Sequence, residues 1–221
     1  MSLRGRLFAA VYDRMAAASE KAGLAERRRR LLAGAEGRVL EVGAGTGLNL
    51  EHYPANLDEL VLTEPEEPMA RRLEAKLASG VSGSEPQSPL RRARVVRVAA
   101  EALPFESDSF DTVVCTLALC TIGDPQQALG EFRRVLRPGR KLLFLEHVRA
   151  GDPSLARWQD RLNRPWRWIG YGCNCNRPTL SLIESAFRVE GVEHGELPKA
   201  LPLVRPLITG SAVAIRTPGH P

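Results

Sequence analysis

The chain predicts a doubly wound α/β domain, a mostly parallel sheet with helices on both faces. Two observations carry that prediction. From residue 37 onward, short apolar runs alternate with helix-period segments, the pattern of parallel strands joined by helical crossovers. Within it, Val39-Leu40-Glu41-Val42-Gly43-Ala44-Gly45-Thr46-Gly47 joins an apolar strand to a turn with glycines at alternate positions. Glycine there supplies unusual φ/ψ and lets backbone approach a ligand closely. With 221 residues and 43% hydrophobic content, one core and one domain are expected.

The elements follow in order. Residues 3–32 read as one or two helices, with Leu3, Leu7, Phe8, Val11 and Met15 at three- and four-residue spacing and Gly23 dividing them. Arg27-Arg28-Arg29-Arg30 in the second helix reads as a solvated face or, alternatively, a basic contact for anionic lipid. Strand one is 38–42, with a helix expected from about Leu48. Strand two is 59–63 and a helix covers 68–78. Residues 80–89, rich in Gly, Ser and Pro, read as a mobile surface loop. Strands three and four are 93–98 and 112–117. A helix over 125–136 is expected to stop at Pro138-Gly139, before strand five at 141–146. Residues 151–177, rich in Pro, Gly, Asn and Arg and holding Trp158, Trp166 and Trp168, read as irregular. A helix at 179–187 and strands at 188–194 and 208–216 complete the chain, giving seven strands.

Composition narrows the function classes. The net charge is +5, but the basic residues are spread along the chain and aromatics are not interleaved with them in a way that suggests a stacking platform, so nucleic acid is not the expected partner. Cys115, Cys120, Cys173 and Cys175 lack zinc-site spacing, and no metal is expected. No signal-peptide apolar region and no membrane-length apolar run is present, so a cytoplasmic location is expected. The basic N-terminal helices leave a peripheral membrane contact open.

The glycine spacing selects among ligands. A dinucleotide fingerprint would put its third glycine at position 48, where Leu48 stands, and no lysine supplies a P-loop. Gly43-x-Gly45-x-Gly47 preceded by Glu41 instead resembles the S-adenosylmethionine (SAM) loop of class I methyltransferases. Glu64 ends strand two 21 residues after Gly43, where one carboxylate can accept both hydroxyls of a ribose. Met69 suits either adenine packing or plain core.

A wider resemblance rests on Glu101-Ala102-Leu103-Pro104-Phe105, Ser109-Phe110-Asp111 and Glu131-Phe132-Arg133-Arg134-Val135-Leu136-Arg137-Pro138-Gly139. These are similar to the methyltransferase family that includes quinone and sterol C-methyltransferases, the type 11 family. Further matches are Val114–Cys120, Glu146-His147-Val148, Trp158-Gln159, Gly172-Cys173-Asn174 and Leu203-Val204-Arg205-Pro206. They resemble the methyltransferase-like proteins that methylate alkyl thiols, over residues 37–216. That group's apolar N-terminal anchor is not matched, so membrane residence does not carry over.

The resemblance implies a Rossmann-like class I fold, a seven-stranded sheet with an antiparallel last strand. Residues 1–36 would form helices over the site, a candidate lid, and 37–221 the SAM-binding domain. It implies SAM as cofactor, with S-adenosylhomocysteine (SAH) as product, and contacts from Glu41, Gly43, Ala44, Gly45, Gly47 and Asn49. Glu64, Pro65 and Met69 would follow strand two, Ala100 and Glu101 would meet adenine, and Leu117 would follow strand four. Many relatives have Asp where Ala99 stands, so adenine recognition falls to the Ala100 backbone and Glu101. The expected reaction is in-line methyl transfer to a small, fairly apolar acceptor, a thiol sulfur first. A lipid headgroup amine or a quinone-type ring is the alternative, and a SAM-binding protein without transferase activity a further one. His147 and Tyr12 are the catalytic candidates. His147 follows strand five and titrates near neutrality, or serves only as a structural hydrogen-bonding group. Tyr171, in the aromatic segment, is another group that could face the acceptor. The aromatic 151–177 segment either caps the acceptor pocket or packs on the sheet.

Overall fold

The computed structural model of the protein describes residues 3–79 and 93–214. The expected loop at 80–89 and the end of the last strand at Arg216 lie outside the described residues. The chain opens with α1 (Leu3–Ser19), a π-type turn at Glu20–Leu24, and α2 (Ala25–Leu32). Gly23, at φ 124, makes the kink between the helices.

The sheet strands are β1 (Arg38–Val42), β2 (Glu59–Thr63), β3 (Arg94–Val96), β4 (Phe110–Thr116), β5 (Leu136–His147), β6 (Phe187–Glu196) and β7 (Pro206–Ala214). They form one seven-stranded sheet in the order β3-β2-β1-β4-β5-β7-β6. β1 to β5 run parallel, and β7 pairs antiparallel with both β5 and β6. This is the expected Rossmann-like arrangement.

Helices α3 (Glu67–Ser79), α4 (Pro125–Val135), α5 (Pro153–Ile169) and α6 (Thr179–Ala186) connect the strands. Central strands are buried on both faces, so consecutive residues serve opposite layers. Val113 and Cys115 join Leu40, Phe132, Phe144, Ile183 and Phe187 on one side. Val114 joins Val39, Leu60, Leu73 and Leu143 on the other. Order reverses between β1 and β4, and there the carboxyl ends of the strands leave a crevice.

Three local expectations are corrected. The helix expected from about Leu48 is only a 3₁₀ turn at Leu50–His52, because Tyr53 must turn extended (ψ 141) ahead of Pro54. The fourth helix ends at Val135, and Leu136 already pairs with Phe110 in the sheet. Pro138-Gly139 therefore lies inside β5, where the ladder shifts register. Most of the supposedly irregular 151–177 is the 17-residue α5. Asp152 caps it through the Leu155 amide at 2.8 Å, and Pro153 occupies its first turn. Its Pro and Gly mark the helix ends, apart from Pro165 within it.

Candidate functional site

A cavity of about 620 Å³ opens at the β1/β4 crevice. Its floor is the turn after β1. Gly43 and Gly45 adopt φ 71 and 58, left-handed values that favour glycine. A Cβ on Gly43 would lie 2.5 Å from that of Ala118, whereas a Cβ on Gly45 would meet nothing within 4 Å. Gly43 thus lets two loops touch, while Gly45 keeps open space beside a bare backbone.

Glu41, Gly43, Ala44, Gly45, Asn49, Glu64, Pro65, Met69, Ala100, Glu101 and Leu117 all line this cavity, as do Tyr12 and His147. Gly47 does not. Its missing side chain makes room for Leu73 and Leu50, at 2.7 and 2.8 Å from an added Cβ, so it is a packing glycine.

Glu64 is buried, and burial pushes its carboxyl above the ordinary 4.5. Its Oε2 accepts from the Gly45 amide at 2.8 Å and its Oε1 from the Glu66 amide at 2.9 Å. Each oxygen keeps a lone pair for a further donor. A carboxylate held this way beside an open glycine turn fits a ribose diol. Glu101 is less directed at the cavity, since its Oε1 accepts from the Asp124 amide at 3.2 Å.

Arg28 is the residue the sequence reading missed. It lines the cavity at 3% exposure. Its Nε donates to Glu20 Oε1 at 3.0 Å, and its Nη1 to Asn49 Oδ1 at 2.7 Å and Thr116 Oγ1 at 3.0 Å. Asn49 Nδ2 donates to Glu41 Oε1 at 2.9 Å, and the Tyr53 hydroxyl to Glu41 Oε2 at 2.7 Å. Burial raises the Glu41 carboxyl, and Tyr53, Asn49 and Arg28 pull it back down. The side chains of Glu41 and Asn49 therefore brace one another. A signal was available: Leu24, Arg28, Leu31 and Leu32 fall on one helical face, and all four are buried.

The rest of the cavity lining comes from α1, the end of α5 and residues 197–204. Phe8 stacks on Tyr171 at 4.7 Å between ring centres, and the Tyr171 hydroxyl donates to Glu66 Oε2 at 2.7 Å. Asp13 accepts from Thr46 and pairs with Lys76 at 3.1 Å, tying α1 to the glycine turn and α3. Of the three tryptophans, only Trp166 lines the cavity, while Trp158 and Trp168 are exposed.

Burial pushes the Tyr12 phenol up to about 12, so at neutral pH it is a donor and not a base. Burial pulls His147 down to about 4, leaving a neutral imidazole whose Nδ1 has no hydrogen-bond partner among the described residues. Such a nitrogen can accept a hydrogen bond but holds a proton poorly. Cys120 and Cys173 also line the cavity. The Cys120 thiol beside Cys173 lowers it from the ordinary 9.0.

Known proteins resemble this chain over most of its length. Residues 40–144 match the methyltransferase domain family. The human thiol S-methyltransferase TMT1B is 38% identical over 188 residues, 82% of this chain and 73% of that protein. A phosphatidylethanolamine N-methyltransferase from Cereibacter sphaeroides is 32% identical over 133 residues, 57% of this chain and 62% of that protein. Among solved structures, a SAM-dependent methyltransferase from Thermotoga maritima, described as a possible histamine N-methyltransferase, superposes with TM-score 0.65. It is 20% identical, covering 95% of this chain and 98% of its own.

Proposed function

This chain belongs to the class I SAM-dependent methyltransferases, and from that premise we propose that its acceptor is a small, fairly apolar thiol. The observation that carries the reading is the make-up of the cavity lining contributed by α1, α5 and the segment around Leu201. A protonated Tyr12, a neutral His147 and apolar side chains from Met15, Trp166, Ile169 and Leu201 face one space continuous with the glycine turn and Glu64. The likeness to TMT1B supports it.

SAM, when bound, supplies an electrophilic methyl on a sulfonium, so positioning does most of the work, up to ~7–11 kcal/mol of barrier. Gly43, Ala44 and Gly45 would offer backbone to the bound cofactor, and Glu64 and Pro65 would hold its ribose. Met69, Ala100, Glu101 and Leu117 would enclose its adenine. The Arg28–Asn49–Glu41 network stiffens the wall at the amino-acid end. The sulfonium charge favours the thiolate, and His147 lines the cavity as a buried, neutral imidazole. Helix α1, joined to the buried α2 at the Gly23 kink, acts as a lid that excludes water.

The test is SAH release from purified protein given SAM and a short alkyl thiol, beside Glu64→Ala. Loss of two hydrogen bonds to a charged acceptor should weaken SAH binding by roughly a hundredfold or more. Thiol-dependent release that disappears in the variant supports the reading. Tight SAH binding without release on any alkyl thiol would overturn the acceptor. A second reading, a lipid headgroup amine or a quinone-type ring, is favoured by the apolar mouth of the cavity and by the Cereibacter relative. Dispersed phosphatidylethanolamine in the same assay separates the two.

A further inference from the structure

Helix α5 is amphipathic, yet its apolar stripe faces outward. Its buried residues are Ala156 and Gln159. The Gln159 amide clamps the helix down, donating to the Val148 and Leu203 carbonyls and accepting from the Ala150 amide. Beside that contact, Trp158, Leu162 and Ile169 recur at helical spacing, and they are 54, 40 and 60% exposed. Trp168, next along, is 70% exposed. A helix packed on a globular core normally buries such a stripe.

The cations of the same helix are uncompensated. Arg157, Arg161, Arg164 and Arg167 are exposed, and among the described residues none forms an ion pair. The helix's one acid, Asp160, is taken by Arg149 and by Asn176 at 3.0 Å. Arg161 lies over the Trp158 ring at 5.9 Å.

The stripe also leads to the site. Met15, Ile169 and Leu201 line the cavity and are 63, 60 and 62% exposed, so they form its mouth. Leu7 on α1 adds a further exposed apolar side chain at 65%.

We propose that α5 lies in the plane of an anionic lipid bilayer, with Trp158, Leu162, Trp168 and Ile169 in the headgroup region and its arginines on lipid phosphates, so that the cavity mouth opens toward the membrane. Charge complementarity selects this occupant. Basic amphipathic helices with tryptophan bind where apolar burial and anionic headgroups act together. A second copy of the chain on the same stripe would set four arginines against four. Within the thiol reading, the mouth admits acceptors dissolved in the lipid phase. The docking itself does not depend on which acceptor is methylated.

All three tryptophans of the chain lie in α5, so tryptophan fluorescence, excited selectively over tyrosine, reads this helix alone. The experiment titrates the full chain with phosphatidylcholine vesicles and with vesicles that also contain phosphatidylserine. Fluorescence and co-sedimentation are followed for the native chain, for Trp158→Ser with Leu162→Ser, and for the four arginines changed to glutamine. The native chain should shift to the blue and sediment only with anionic vesicles, and release at high salt. Each variant should bind at least about tenfold more weakly, because several headgroup contacts or much apolar area are lost. Far-UV circular dichroism should be unchanged, since the substituted positions are on the surface. Three outcomes would overturn the proposal. They are no binding by the native chain, binding undiminished in the variants, and a native dimer that becomes monomeric in the Trp158 and Leu162 variant. SAH release with a water-soluble thiol reports separately on the acceptor.

Discussion

Helices α2 and α5 each carry four arginines, and the fold uses them in opposite ways. In α2, Arg28 is buried against Glu20, Asn49 and Thr116, Arg27 pairs with Glu193 at 3.1 Å, and Arg29 and Arg30 share Glu26. In α5 no arginine meets an acid among the described residues, and the apolar residues beside them face out. The expectation of a membrane contact through the basic run of α2 accordingly loses Arg28, the one arginine turned inward. A run of like charge reports composition, whereas its use depends on which helical face meets the body of the protein. No helix among the described residues is long and apolar enough to cross a membrane.

The largest expected effect tests the inward side of that contrast. Arg28→Ala leaves the buried Glu41 and Asn49 and the half-buried Glu20 without their cation, and should cost about 3–5 kcal/mol in urea unfolding. Arg28→Lys should recover only part of this, because one ammonium cannot reproduce the guanidinium fork that meets Glu20, Asn49 and Thr116 together. A loss below about 1 kcal/mol for Arg28→Ala would place the residue with ordinary surface arginines.

A second inward group gives a pH signature. Glu146 is fully buried, accepts from the Ala118 and Leu119 amides at 3.0 Å, and is pushed by burial from 4.5 to about 7. The folded protein therefore holds this proton more tightly than the unfolded chain. That contribution is complete below about pH 4.5 and is lost as pH rises through about 7. Glu146→Gln removes the titration, so its stability relative to the native chain should climb by about 3 kcal/mol across that window. Melting curves at several pH values check it, and a difference that does not change with pH would show that Glu146 is ionised throughout.

The glycine turn yields a smaller contrast between stability and binding. Gly43→Ala forces a left-handed alanine into Ala118 and should cost more than the ~1–2 kcal/mol of backbone strain alone. Gly45→Ala bears only the strain, yet it projects a methyl toward the cavity and should weaken SAH binding more than it lowers stability. The smallest effect belongs to the outward side. Replacing Arg157, Arg161, Arg164 and Arg167 by glutamine should shift stability within about 0.5 kcal/mol per site. A cooperative loss beyond that would mean the α5 arginines support the fold.

Much of the frame was legible because it is local. β2 covers the expected residues 59–63, and the glycine turn marks the end of β1. Where local signals misled, a tertiary contact decided. The 151–177 segment looked irregular from its terminal Pro, Gly and Asn, while the spacing of Leu155, Trp158 and Leu162 already fitted a helix. Gly47 shared the spacing of its neighbours, but the side chains of Leu50 and Leu73 make it a packing position.

By itself the sequence determined the parallel sheet, the glycine turn and Glu64, since strand period, turn chemistry and the offset between them are carried by neighbouring residues. Only the tertiary structure decided which arginine enters the site and which stripe faces out. Arg28 is committed by Asn49 and Thr116, 21 and 88 residues away. Desolvating a guanidinium is costly until partners so distant in the chain are folded around it.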